Sequence, residues 1–482
     1  MKCTLIPEPN LYFGDQRTCI DPKVGLINFG PFGRFSKGEL DPLVIRAGII
    51  STKNAKLLLE SWLEKLRHRI SGNFDQVNSK RQIDFPGISI ESPLKFEIRV
   101  DDSCIEYIRK SDLNELEKLP KKERILKVVE LYDQKFSDLA STSDPPPDIV
   151  FLPLPQKLIE LCGDKKTGKI IYERRTFNKR KVYGDIPLFD FHNVLKVIAF
   201  KNGNMTSQII QPSTLKFMGP QDPATIAWNF AVATYYKATG IPWKLADMDD
   251  ETCYVGVSFY QEITAEDRNM RASMAHVYLR TGESQVIRGR PFKWEDDKGR
   301  RPSLSSELAY EIINDVISLY KRQKNNVLPK RIVIHKTSPF NSEEIEGFDK
   351  ATEEIEIVDY IHIHNKSGIM LFHKNRSYPP IRGTFVFSDS QYLLYTTGYV
   401  SSLDTYVGSS VPQPLFIEVY KLESSPEQIA KDIMALTKLD WNNADFNTRL
   451  PVTISVSRKV GEILSESSAQ KINAPSNYRY YM

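Results

Sequence analysis

Four side chains in the first half of the sequence have the types and order that a phosphate group requires. His192 and Lys196 stand four residues apart, one turn of a helix, so a helix would place both on one face. Gln208 stands at the start of the next apolar run, and Lys237 closes the helical stretch after it. Imidazole, ammonium and carboxamide groups all donate N–H bonds, and a terminal phosphate meets them with up to two negative charges. Taken singly, each residue is ordinary surface chemistry. The grouping carries the information.

Other segments have the outline of a site and lose it on inspection. Gly163–Lys169 reads GDKKTGK, nearly a phosphate-binding loop. Such a loop needs Ser or Thr directly after its lysine to hold magnesium, and a helix start facing the phosphates. Ile170 follows instead, so the segment reads as a charged turn. His362 and His364 alternate within YIHIH, and a strand would point both from one face, as a metal site requires. No third ligand stands nearby in the sequence, which favours a structural or surface role. Cys3, Cys19, Cys104, Cys162 and Cys253 are scattered with no CxxC pair, which argues against a zinc centre and a disulfide framework alike. Arg174, Arg175, Lys179, Arg180 and Lys181 form a basic run that reads as a solvated loop.

The elements that must position these residues follow from composition and pattern. The chain has 482 residues, 41% of them hydrophobic and 26% charged, which is globular composition. At roughly 100–200 residues per domain, two to four domains are expected. A net charge of +4 permits nucleic-acid binding without arguing for it. The N-terminus meets acidic residues and prolines too early for a secretory signal, and no apolar run approaches the roughly 18 residues of a membrane span. The expectation is a cytoplasmic protein with no membrane contact.

The clearest break is DPPPD at Asp144–Asp148. Residues 95–100 and DIVFL (Asp148–Leu152) read as strands, and Val194–Phe200 and Ser207–Ile210 continue that theme. Glu123–Leu139 and Asp222–Thr239 carry helical spacing. This alternation predicts a Rossmann-like, largely parallel α/β sheet with its core at about residues 90–240. The second half, 241–482, has another rhythm. Strands are expected at Tyr254–Tyr260, Ala275–Leu279, Gln285–Gly289, Arg331–His335, Ile355–Ile363, Ile369–Phe372 and Pro414–Tyr420. A hairpin falls in Gly383–Tyr399. Helices are expected at Leu304–Arg322, Ser342–Ala351, Pro426–Leu436 and Val460–Ser465. An antiparallel start followed by a long helix is the order of an RNase H-like domain.

Specific resemblance enters at Thr437–Leu464, TKLDWNNADFNTRLPVTISVSRKVGEIL. It is similar to the end of the PIWI domain of Argonaute proteins, where a TKxNWN element precedes a P-V-T strand and an R-x-V-G helix start. LYFG (11–14), DPKVGL (21–26) and FGPF (29–32) also resemble Argonautes, as does the terminal NYRYYM. The order His192, Lys196, Gln208, Lys237 looks like the 5′-phosphate pocket of the Argonaute MID domain. One further cationic position of some members falls near Ala233. The length resembles that of short prokaryotic Argonautes, built of MID and PIWI only.

That resemblance implies a guide RNA, a complementary single-stranded DNA target, and a Mg2+ ion bridging the guide's phosphate to the terminal carboxylate of Met482. It also implies an APAZ-containing partner carrying a TIR-like or sirtuin-like, NAD-depleting effector, working in prokaryotic immunity. Arg449, Arg458 and Lys459 are candidate backbone contacts. Active PIWI domains hold metal ions with carboxylates, yet the matching positions here are Ser258, Thr337 and Ser457. Hydroxyls are poor substitutes for carboxylates around hard cations. The fourth position has no clear match, with Glu283 and Glu295 as candidates. No cleavage is therefore expected. The alternative is an active guide-directed nuclease using Asp247, Asp249, Asp250, Asp389 or Asp445.

Overall fold

The structure is a computed structural model. It describes residues 2–34, 43–75, 80–164, 169–170, 190–219, 221–249, 251–260, 270–278, 284–294, 302–364, 368–371, 379–389, 391–406, 411–466 and 474–482. The basic run 174–181, Asp250, Glu283 and Glu295 lie outside these residues.

The first strand, β1 (Lys2–Leu5), leaves its sequence neighbours and joins the edge of the second half's sheet. The first half is organised by four parallel strands: β2 (Leu43–Ser51), β3 (Phe96–Tyr107), β4 (Ile149–Pro153) and β5 (Ser207–Ile210), in the order β5-β4-β2-β3. Every residue of β4 is buried, as a strand covered on both faces must be. Val150 and Leu152 pack with α2 (Lys121–Thr142) and α3 (Phe191–Lys201). Ile149 and Phe151 pack with Trp62 of α1 (Lys53–Leu66) and Phe230 of α4 (Pro223–Lys237).

Two expectations change here. The sheet takes in β2, well ahead of the expected start near residue 90. Val194–Phe200 does not continue the strand theme; it lies inside helix α3. That run is buried throughout, Lys196 included, and a short, mostly apolar run does not separate strand from helix. The cap does: the Asp190 side chain accepts the His192 N–H at 2.9 Å.

The second half is a nine-stranded mixed sheet. Its own strands are β6 (Thr252–Tyr260), β7 (Met270–Tyr278), β8 (Ser284–Lys293), β9 (Arg331–Lys336), β10 (Ile357–His364), β11 (Thr384–Phe387), β12 (Gln391–Leu394) and β13 (Leu415–Lys421). The order is β1-β11-β12-β13-β10-β9-β6-β7-β8. Antiparallel β6, β7 and β8 beside parallel β9 and β10 give the expected RNase H-like arrangement. Residues 369–371 form no strand. Cys253, Val255 and Val257 face α5 (Ser306–Gln323) and α6 (Ser342–Ala351). The opposite face is covered by α7 (Pro426–Leu436) and α8 (Val452–Leu464). No described helix is long and apolar enough to cross a membrane.

Helix α8 overturns another expectation. Its β-branched P-V-T start reads as a strand, yet the helix begins directly after Pro451. Buried Val452, Val456, Val460 and Ile463 recur at helical spacing, so packing overrides local propensity. Gly256 makes the contact feasible, because a Cβ there would lie 1.9 Å from the Thr453 carbonyl oxygen.

Candidate functional site

The four donors read from the sequence converge. A cavity of about 260 Å³ is lined by His192, Lys196, Gln208 and Lys237, together with Lys459 and Met482. The first turn of α3 supplies His192, and its next turn supplies Lys196. Gln208 comes from β5 and Lys237 from the end of α4. β5 is the edge strand of its sheet, with α3 and α4 packed on opposite faces, and the pocket forms beside that edge.

Burial sets its electrostatics. Lys196 and Lys237 are 1% and 3% exposed. Lys237 donates to the Ser207 carbonyl at 3.1 Å, Lys196 donates to the same oxygen, and Lys237 also donates to Gln208 Oε1. Burial, then the nearby Lys459 charge, lowers the Lys196 pKa to about 7. Burial, then Lys196 and Lys459, holds the Lys237 ammonium well below its usual range. Burial also lowers Lys459, against a raising pull from Asp440 and Glu462. His192 keeps solvent access at the mouth. Crowding by the protein, then by Lys196, Lys459 and Lys237, lowers its pKa. An anion entering this cavity would replace like-charge repulsion with attraction.

Lys459, expected on the nucleic-acid backbone path, instead lines this cavity with Ala233. It supplies from α8 a cation where Ala233 offers none. Its placement depends on contact between the two halves, which local spacing does not reveal. Arg458 is exposed, with Nε 3.3 Å from Glu462 Oε1. Arg449 is half-buried, and burial lowers its pKa.

Strand register gathers the three hydroxyl positions. Val257 pairs with Lys336, so Ser258 and Thr337 follow at the same sheet end. Ser258 Oγ donates to the Ser457 carbonyl at 3.2 Å, and Ser457 Oγ donates to Ile454 O at 3.0 Å inside α8. Nearby His335 is fully buried, with Nδ1 2.8 Å from Thr453 Oγ1. Several competing acids have other engagements. Asp247 accepts the Asn10 N–H at 3.0 Å, and Asp249 accepts the Glu251 N–H at 3.0 Å. Asp389 and Asp445 are exposed. Asp164 N–H donates to Lys169 O at 2.9 Å, and residues 165–168 of the near-P-loop segment lie outside the described residues.

The histidine pair has the third ligand type that the sequence concealed. Glu418 on β13 lies directly opposite His362 on β10. One Glu418 oxygen lies 2.8 Å from His362 Nδ1 and 2.9 Å from His364 Nε2. Burial, then His364, lowers the His362 pKa to about 4. Alternation in residues 416–420 gives Glu418 the right face, but only the long-range pairing of the two strands gives it the right neighbour.

The fold has known counterparts. Clostridium butyricum Argonaute bound to a guide DNA and a 19-mer target DNA aligns with a TM-score of 0.65 at 17% identity, covering 97% of this chain and 53% of that one. Drosophila Piwi aligns with a TM-score of 0.59 at 14% identity, covering 99% of this chain and 56% of that one. An Aquifex aeolicus Argonaute aligns with a TM-score of 0.55 at 16% identity, covering 99% and 57%. The chain spans about half the length of these structures, and the likeness is one of fold. No curated protein matches it in sequence. The Piwi domain family matches residues 189–468, more than half of the chain. The chain belongs to the Piwi domain family.

Proposed function

We propose that this chain holds a guide nucleic acid by its 5′ phosphate, pairs it with a complementary strand, and leaves that strand uncut. The observation that carries the reading is the convergence of buried Lys196 and Lys237 with His192, Gln208 and Lys459 around one cavity. Buried ammonium groups cost stability unless an anion joins them. A phosphate monoester supplies the charge and enough acceptors for every donor.

The guide is RNA and the target single-stranded DNA, as in the short Argonautes the sequence resembles. Base pairing reads the sequence, and the protein holds backbones. Met482 lines the cavity, and a Mg2+ ion bound there would suit the hard, anionic oxygens of a phosphate. Ser258, Thr337 and Ser457 offer no anionic ligands, which favours recognition without cleavage. Target pairing then biases a conformational equilibrium read by an APAZ-containing partner with a TIR-like or sirtuin-like effector. NAD depletion belongs to that partner, in the cytoplasm of a prokaryote under attack.

The test compares 5′-phosphorylated with 5′-hydroxyl guides, RNA and DNA, by fluorescence anisotropy. Wild type should prefer the phosphorylated RNA by about tenfold or more. Lys196→Ala/Lys237→Ala should abolish that preference. Equal loss for both guide ends would sink the pocket. A cut in labelled target with guide and Mn2+ would favour the nuclease reading.

A further inference from the structure

The His362, His364 and Glu418 cluster lies outside the phosphate pocket and has no part in the reading above. Antiparallel register sets Glu418 opposite His362, and His364 follows on the same face with the two rings 3.8 Å apart. Both imidazoles aim a nitrogen at one oxygen, Glu418 Oε2. The other nitrogen of His362, Nε2, lies 3.3 Å from the Thr337 carbonyl oxygen.

His362 thus stands between two acceptors. A neutral imidazole carries one N–H and one lone pair. If Nε2–H donates to Thr337, the Nδ1 lone pair faces a carboxylate oxygen at 2.8 Å. If Nδ1–H donates to Glu418, the Nε2 lone pair faces the carbonyl. One of the two contacts is repulsive until a cation relieves it. The His362 side chain is fully buried, so bulk water does not reach the ring to relieve that contact.

We propose that His362 Nδ1, His364 Nε2 and the Glu418 carboxylate form a binding site for a divalent transition metal of the zinc class. Two imidazoles and one carboxylate suit zinc and its neighbours, whereas Mg2+ and Ca2+ prefer oxygen alone. Tetrahedral zinc with bonds near 2.0–2.1 Å sets ligand atoms about 3.3 Å apart. The three ligand atoms here lie within 4.8 Å of one another, so side-chain adjustment of up to about 1.5 Å brings them to that spacing. Glu418 has room for it, with its side chain 30% exposed. The bond from Nε2–H to Thr337 O becomes the outer contact that fixes the tautomer of a metal-bound histidine. His364 and Glu418 are partly exposed, so water takes the fourth position. The metal would clamp β10 to β13 and, through Thr337, hold the segment leaving β9 beside the hydroxyl cluster.

The test uses the full chain stripped of metal with a chelator. Co2+ should produce the visible absorption of a tetrahedral N/O site, and Zn2+ should compete it away at one equivalent. His364→Ala and Glu418→Gln replace partly exposed side chains, and each should weaken Zn2+ binding by about 100-fold or more. Cys3→Ser/Cys19→Ser should leave it unchanged, separating this site from the more accessible thiols. Wild type that takes up neither ion overturns the proposal. Equal Co2+ spectra in wild type and Glu418→Gln overturn it too, and wild type alone decides the matter if the variants fail to fold.

Discussion

The phosphate pocket and the hydroxyl cluster share helix α8 and have opposite chemistry. Lys459 of α8 reaches a cavity crowded with cations. Ser457, two residues earlier, bonds within its own helix and accepts from Ser258. The pocket keeps charged groups buried, an arrangement that weakens a fold by itself. At the hydroxyl cluster, neutral Ser258 and Ser457 donate to backbone carbonyls of α8, an arrangement that asks for no ligand. The difference teaches where to look for function in this molecule: at groups whose burial makes no sense without a missing partner. It also predicts that substitutions in the pocket act on binding, while substitutions around the hydroxyls act on stability or on nothing.

The largest effect should come from Gly256→Ala. A Cβ there would meet the Thr453 carbonyl at 1.9 Å, and backbone on both sides must shift to admit it. The expected cost is about 3 kcal/mol or more. Urea unfolding should show a lower midpoint. Wild-type stability in this variant would mean that α8 is not pressed onto β6, and the packing half of the comparison would fail.

Lys237→Met comes next and should separate binding from stability. Affinity for 5′-phosphorylated guide should fall by about 10–100-fold, the worth of one hydrogen bond to a charged group. Affinity for 5′-hydroxyl guide should stay close to wild type. Thermal unfolding of the free variant should occur at or above the wild-type temperature, because a buried charge has gone. A variant that loses stability and both guides together would make Lys237 a structural residue.

A smaller, graded effect should follow pH. The Lys196 pKa falls to about 7 from its usual 10.5. Between those values the unfolded chain binds more protons than the folded one, so the free protein gains stability as pH rises. A bound phosphate favours the ammonium form, so guide binding takes up a proton above about pH 7. Affinity for 5′-phosphorylated guide should therefore decline above that pH by up to about tenfold per unit. Isothermal titration in buffers of different ionisation enthalpy would count the proton. A flat profile would mean that Lys196 is already charged in the empty pocket.

Much of the site was legible because its signals are local. His192 and Lys196 share a helical turn, and Gln208 and Lys237 each stand at an element's end. The missing parts depend on distant contacts. Lys459 enters the pocket only because α8 packs against the first half. Glu418 meets the histidines only through pairing of β10 with β13. The fold followed the same division. DIVFL, RIVIH and the helix at Ser342–Ala351 carry their own pattern. Val452–Leu464 reads as a strand start in isolation and is a helix because Gly256 and the core decide. The strand β2 went unread: LVIRAGII lies ahead of the sheet's other strands in the sequence, and only the fold reveals that it sits between two of them.

Ser258→Ala should have the smallest effect, and that small effect is informative. Its hydroxyl makes one bond to the Ser457 carbonyl at 3.2 Å, and removing it should cost about 1 kcal/mol. Guide and target affinities should match wild type, since no phosphate-pocket group is touched. Labelled target should stay intact with Mn2+ in wild type and variant alike. If wild type cuts and Ser258→Ala does not, the hydroxyl holds a metal or an attacking water, and the two regions are both reactive. If both cut equally, acids elsewhere do the chemistry, and neutrality at Ser258, Thr337 and Ser457 would say nothing about activity. An uncut target in both leaves the cation pocket as the region that acts on nucleic acid.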